Sequence, residues 1–247
     1  MAIHAVMSDM RTAVRDNLDE STAAFWTDAR LQRCLSRAAH HVWQEVRKER
    51  ADYGMVTRTS DDGTLTILGV SYAASSFAIV SGTTSYTLPP DLLDLRLIEC
   101  ITSGYEWVRF TYRPITDPEF IALRQITTAQ GPGAHLFSIV GERTLLITPP
   151  INMALALRLS YIPSTVIQAT AAGATKNEFS ADSDELMLPY ELGYAVEEVA
   201  TWRAKLQDSD PGMQAWMAVA QESVRRWIGS DSRQSQDPTF VAGAFGI

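Results

Sequence analysis

Apolar positions along this chain follow a helical period at both ends and a strand period between them. Residues 213–228 carry Met213, Trp216, Met217, Ala220, Val224, Trp227 and Ile228, the i, i+3, i+4, i+7 stripe of an amphipathic helix. Residues 192–206 repeat it with Leu192, Val196, Val199, Trp202 and Leu206, and residues 31–46 with Leu31, Leu35, Ala38, Val42 and Val46. A shorter helix over 5–18 has Val6, Met10, Val14 and Leu18 as its ridge. Such stripes are too apolar to stand alone in water, so residues 8–52 and 186–228 are expected to form one helical domain across the long segment between them. The 213–228 stripe in particular must be buried.

Local signals set the ends of these helices. Thr27 is a suitable N-cap, with Phe25 and Trp26 before it and Asp28 at the positive end of the dipole. The helix then runs to about Asp52, where Arg47, Lys48, Arg50 and Tyr53-Gly54 close it. Pro189 marks the start of the penultimate helix, and Asp208-Ser209-Asp210-Pro211-Gly212 the turn before the last one.

Between these ends the period shortens. After the turn Asp61-Asp62-Gly63, residues Leu65, Ile67, Val70, Phe77, Ile79, Val80 and Tyr86 mark short strands separated by Gly and Ser. RLIECITSGYEWVRFTYR reads as a hairpin about Ser103-Gly104, with Trp107, Arg109 and Thr111 on one face and Val108, Phe110 and Tyr112 on the other. Asp117 as N-cap, Pro118 at the first helical position and Glu119 in the first turn insert one short helix, stopped by Gly131-Pro132-Gly133. His135–Val140 and Arg143–Thr148 pair across Gly141-Glu142, and residues 154–161 add a strand with Leu155, Leu157, Leu159 and Tyr161 on one face. Residues 163–184 lack a sustained period and read as a long loop. The polar residues 229–238 read as a flexible leash before the apolar end Phe240, Val241, Phe245 and Ile247.

The predicted fold class is therefore α+β: a discontinuous helical bundle from residues 1–58 and 184–229, an antiparallel β-rich insertion over 59–183, and an extended docking tail over 230–247.

Charge changes what such a scaffold can bind. With 21 Lys and Arg against 29 Asp and Glu, the net charge is −8 and the overall field repels nucleic-acid phosphates. At 46% hydrophobic and 20% charged the composition is globular. The two cysteines, Cys34 and Cys100, have no C-x-x-C partner and read as reduced thiols of a protein made in the cytosol. No run approaches the roughly 18 apolar residues of a spanning helix, and no membrane role is expected.

Chemical motifs are sparse. Gly69-Val70-Ser71 and Ser81-Gly82 do not make a nucleophile elbow. His40 and His41 are adjacent on a helix and diverge by about 100°, which keeps them from sharing a metal. Asp182, Asp184 and Glu185 resemble a sparse calcium loop without its glycine or its bidentate glutamate, and read as a solvated helix start. Glu191, Glu197 and Glu198 sit on the wet face of a helix, and no phosphate-cradling glycine motif follows a strand. The expectation is no catalytic residue, no metal and no cofactor. Arg30, Arg33 and Arg37 stand apart, because i, i+3, i+7 spacing aligns them into a basic strip beside the apolar ridge. The plainer reading is a solvated face; the functional one is an interface with an acidic partner or a neighbouring subunit. Trp43, Trp202, Trp216 and Trp227 divide in the same way between core and interface anchor.

Four ordered segments carry a resemblance: WTDARLQRCLSRAAHHVWQEV after a short first helix, YTLPPDLLDLRLIEC opening the β middle, LLITPPINMALALRLSYIPS closing it, and DELMLPYELGYAVEEVATWRAKLQD leading into the last helices. Over roughly residues 8–228 the chain resembles the head-to-tail adaptor proteins of tailed bacteriophages, including the tail tubular protein A group. The resemblance implies a dodecameric ring under the portal protein, joining the DNA-filled head to a tail or nozzle protein, with double-stranded DNA passing through it. It implies a virion neck component assembled in the host cytoplasm and no enzyme activity. The chain departs from that pattern in its longer β middle and in the apolar extension after residue 228. The interface residues expected are Arg30, Arg33 and Arg37 on the helix and Phe240, Val241, Phe245 and Ile247 in the tail. The alternatives are another neck, tail or baseplate component, or a virion-associated hydrolase using Asp182, Asp184 or His40.

Overall fold

The computed structural model describes residues 5–20, 25–51, 53–169, 174–207 and 213–234. Among them are five α-helices and twelve strands, a mixed α+β fold. In chain order the elements are α1 (Met7–Asn17), α2 (Asp28–Glu49), β1 (Val56–Thr59), β2 (Thr64–Ile67), β3 (Val70–Ala73), a 3-10 turn (Ala74–Phe77), β4 (Ser85–Thr87), β5 (Leu92–Cys100), β6 (Arg109–Tyr112), α3 (Pro118–Arg124), β7 (Ala134–Val140), β8 (Thr144–Thr148), β9 (Leu157–Pro163), β10 (Ile167–Gln168), β11 (Thr175–Lys176), β12 (Glu185–Leu186), α4 (Tyr190–Gln207) and α5 (Met213–Gln234). The chain divides into two compact units, one running up to Tyr53 and resuming at Thr165, the other spanning Gly54–Ser164.

In the helical unit α4 packs most extensively, on α5, α2 and α1, and α2 in turn is packed by α1, α4 and α5. Its ridge residues Leu31, Leu35, Ala38, Val42 and Val46 are fully buried, as are Met7 and Val14 of α1 and Leu192 and Val196 of α4. Helices from the two ends of the chain therefore share one core. Gly193 permits the closest approach: a Cβ there would lie 2.9 Å from Cβ of Ala5. Thr27 does occupy the N-cap position of α2, but its hydroxyl makes no capping bond. Its carbonyl instead accepts from the backbone N–H groups of Arg30 and Leu31.

Residues 165–169 and 174–183, expected with the β insertion as a loop, lie in the helical unit and carry structure. β10 pairs antiparallel with both β11 and β12. This segment caps α1: the N–H groups of Met7 and Ser8 donate to the carbonyls of Asp184 (2.8 Å) and Asp182 (3.2 Å), two of the four donors that a helix start leaves open. The last helix also exceeds its expectation, since α5 continues to Gln234 through the first part of the presumed leash.

In the β unit, β9 is central, with β1 and β5 antiparallel on its two sides. Its residues Leu157, Leu159 and Tyr161 are wholly buried, packing with Phe77, Leu88, Leu145 and Ile147. The Tyr161 hydroxyl donates to Asp91 Oδ1 at 2.7 Å, which satisfies both buried groups. A second sheet has the order β4-β8-β7-β6. The β7–β8 hairpin forms as the sequence predicts, and so does α3, whose N-cap Asp117 accepts from the N–H groups of Glu119 and Phe120. The hairpin read over 95–113 does not form. β5 pairs with β9, and β6 pairs in parallel with β7. Between β5 and β6 the chain folds on itself instead, the Trp107 indole N–H donating to the Gly104 carbonyl at 3.0 Å.

Candidate functional site

The basic strip predicted on α2 becomes one wall of a cleft. Arg30, Arg33 and Arg37 are all exposed and line it with Phe25, Trp26, Cys34 and Gln207, enclosing about 430 Å³. Helical spacing alone places the three guanidinium groups on one side, and the buried ridge of α2 fixes which way that side faces. Arg30 is steered by Phe25, its Cζ lying 5.7 Å from the ring centroid and its Nη1 donating to the Phe25 carbonyl at 3.4 Å. Cys34 forms the floor; burial pushes its thiol up despite Arg37, Arg203 and Arg33 nearby, so it stays protonated and free.

Arg203 of α4 is a member of this cluster that the sequence did not reveal. Burial and the charge of Arg37 both lower its pKa. Its Cζ stands 5.5 Å from the Trp202 ring centroid, and its buried Nε has no hydrogen-bond acceptor. The available signal was the absence of an acidic residue at three or four positions to either side, where Val199, Ala200, Leu206 and Gln207 stand.

The carboxylates closest in sequence are committed elsewhere. Asp28 accepts from Arg15 at 2.6 Å and lies 3.5 Å from Arg11; the Arg15 hydrogen bond holds its pKa below the usual range. Glu20 accepts from the backbone N–H groups of Phe25 and Trp26 and pairs with Arg15 at 3.5 Å. Among the described residues, Arg30, Arg33, Arg37 and Arg203 thus have no acidic partner. An acidic protein contains a local cationic cleft that none of the described carboxylates neutralises.

The other candidates disperse. His40 Nε2 bonds the Asn177 carbonyl at 2.8 Å, while His41 turns into a crevice of about 190 Å³ lined by α2, α4 and α5, where burial lowers its pKa. Asp182 binds Arg11 through two hydrogen bonds, and Glu185 accepts from Gln168. Asp184, far from being a solvated helix start, is almost fully buried. It accepts from Lys176 Nζ at 2.6 Å and from the N–H groups of Ser180 and Ala181. Burial pushes its pKa up, but these donors outweigh it and leave the net shift downward. No group of three His, Cys, Asp or Glu side chains converges among the described residues. The tail residues Phe240, Val241, Phe245 and Ile247 and the turn 208–212 lie outside the described residues.

The apolar stripe of α5 is only partly buried. Ala220 and Val224 are buried, whereas Trp216, Met217, Trp227 and Ile228 are half-buried and Val219 is exposed. Trp227 rests against Tyr53, ring centroids 4.9 Å apart. The expectation that this stripe must be buried is met in full only at Ala220 and Val224, because α5 packs mainly on α4 and meets α2 along one side only.

None of the curated proteins compared with the chain matches it. Residues 7–242 match the family described as SU10 adaptor protein. That span covers both helical arms and the whole β unit: the chain belongs to the SU10 adaptor protein family, structural adaptors of the phage head–tail connection.

Proposed function

We propose that the protein forms a ring joining the portal of a DNA-filled phage head to the tail and lining the DNA exit channel. The ring is read as a dodecamer, assembled in the host cytoplasm and retained in the virion neck. A closer kinship with the tail tubular protein A group belongs to this reading. The observation that carries it is the pair of unsatisfied surfaces on one unit, the arginine cleft and the half-buried stripe of α5. An isolated subunit gains nothing from either, whereas repeated interfaces bury aromatic residues and match charge. The net charge of −8 suits a channel through which DNA must slide without adhering.

The tail residues Phe240, Val241, Phe245 and Ile247 are proposed to dock on the portal or on an adjacent copy, each contributing on the order of 1–3 kcal/mol if fully buried. Because α5 runs to Gln234, truncation belongs after that residue. The truncated chain is expected to fold and to detach from heads; normal particle yield would refute the docking role. The ring itself is tested by electron microscopy of the purified protein mixed with portal. A closed ring on the portal is expected, and its absence, or attachment only to tail or baseplate parts, returns the protein to another neck, tail or baseplate role. The triple change Arg30→Glu, Arg33→Glu, Arg37→Glu should leave circular dichroism unchanged while weakening association, since exposed charges contribute little to folding.

A further inference from the structure

Ring formation by this chain poses an electrostatic problem. Each copy carries −8, so neighbours in a ring repel one another unless opposite charges meet locally at their contact. The arginine cleft is suited to that role. It holds Arg30, Arg33 and Arg37 around a volume of about 430 Å³, walled on one side by the exposed ring of Phe25. Arg203 stands close enough to Arg37 and Cys34 to feel both, and its buried Nε has no acceptor. Asp28 at the start of α2 and Glu20 before it, the carboxylates nearest Arg30 on the N-terminal side, are held by Arg15, Arg11 and backbone N–H groups.

We propose that this cleft is the socket for carboxylate side chains of a neighbouring copy of the chain, so that each subunit's arginines are neutralised by the next subunit around the ring. The proposal rests on the ring reading above. Guanidinium groups bind carboxylates through paired N–H donors, and an adjoining aromatic ring is the usual companion of such a contact in protein interfaces. Duplex DNA is the poorer occupant: Arg30, Arg33 and Arg37 lie within eight residues of one helix, too short a run to track a backbone, and the net charge of the molecule is −8. A head-to-tail arrangement, in which cleft and acidic surface differ, closes on itself only in a ring.

The test fills purified portal with increasing amounts of wild-type chain or of the Arg33→Gln, Arg37→Gln double variant, and counts bound copies by native mass measurement. Wild type is expected to fill cooperatively, with few partial rings. The variant is expected to bind the portal one copy at a time, to accumulate partial rings, and to need at least about tenfold more protein for half-filling, the scale of one lost charge-assisted contact. Its melting temperature should match wild type, and Arg33→Lys, Arg37→Lys should restore only part of the cooperativity because lysine lacks the fork.

Filling of the variant indistinguishable from wild type overturns the proposal. Loss of even the first bound copy overturns it as well, by placing the cleft against the portal. Duplex DNA binding by wild type that disappears in the variant shows a phosphate site instead. Asp208 and Asp210 follow Gln207 in the sequence. If Asp208→Asn, Asp210→Asn alone reproduces the partial rings and lowers the melting temperature, the chain neutralises its own cleft and the neighbour is not needed. A wild-type chain that never occupies the portal refutes the ring reading, and the socket with it.

Discussion

Helices α2 and α5 are each 22 residues long and come from opposite ends of the chain, yet the same periodic pattern leads to different burial. The ridge of α2 is fully enclosed: α1, α4 and α5 pack on it, and residues 174–188 cover a further side, where the Phe179 N–H donates to Ser36 Oγ at 3.0 Å and His40 meets the Asn177 carbonyl. α5 has one broad contact, with α4, and over the crevice beside His41 its packing on α2 is incomplete. A stripe at helical spacing states that a surface needs a partner. It does not state whether the partner lies in the same chain, and in an assembly protein that distinction separates core from interface.

The largest test of this contrast is a pair of truncations. Leu35 is wholly buried at the centre of α2, so Leu35→Ala should cost about 3 kcal/mol through lost transfer energy and a cavity. Trp216, the larger side chain, keeps part of its surface in solvent, and Trp216→Ala should cost less, about 2 kcal/mol, because it leaves no closed cavity. Urea unfolding of the two variants decides the matter. If removal of Trp216 is as damaging as removal of Leu35, α5 is core and its stripe is not available to a partner.

A smaller effect is expected where the cover over α2 is anchored. Asp184→Ala leaves Lys176 and the N–H groups of Ser180 and Ala181 without their acceptor, a loss of about 2 kcal/mol after allowing for the partial exposure of Lys176. Residues 174–188 should then loosen, and amide exchange in α2 should approach that in α5. The pH dependence has a defined sign. The folded pKa of Asp184 lies below its ordinary value of 3.8, so its contribution is complete above that value and disappears as pH falls through the folded pKa. Acid unfolding of the Asp184→Ala variant should therefore flatten in that range relative to wild type; an unchanged acid limb would remove Asp184 from the account.

What the sequence made legible was what neighbouring residues decide. α3 was legible because Asp117, Pro118 and Glu119 supply cap, first position and dipole charge within three residues, and β7–β8 because Gly141, at φ 62°, supplies the turn that joins adjacent strands. The β5–β9 pairing was not legible. Its partners lie some 60 residues apart, and the local turn at Ser103-Gly104 offered a competing hairpin. Strands of two residues, as in β10, β11 and β12, are too short to carry a period, so residues 165–183 looked featureless. The candidate site divides along the same line. Arg30, Arg33 and Arg37 share a helix face and could be found by spacing, whereas Arg203 joins them from α4 only through tertiary packing.

The smallest expected effect concerns the helix that links the compared pair. On α4, Glu197 faces Asp9 of α1 while Glu198 is near Ser223 and Arg226 of α5. Burial, the charge of Glu198 and that of Asp9 push Glu197 up to about 7. Burial also raises Glu198, but Ser223 and Arg226 oppose it. A carboxyl with a raised folded pKa binds more protons in the folded state than in the unfolded chain, so stability is greatest below about 4.5 and declines as pH rises towards 7, levelling off above that. Glu197→Gln removes this dependence. The variant should equal wild type near pH 4 and exceed it at pH 8 by less than about 1 kcal/mol, the partial exposure of the side chain limiting the gain. Urea unfolding at the two pH values measures the difference directly. Asp9→Asn should recover only a fraction of the gain, since burial is the first cause of the shift and the Asp9 charge the last. A gain from Asp9→Asn equal to that from Glu197→Gln would mean that repulsion between α1 and α4, rather than desolvation on α4, sets the pH response of the bundle.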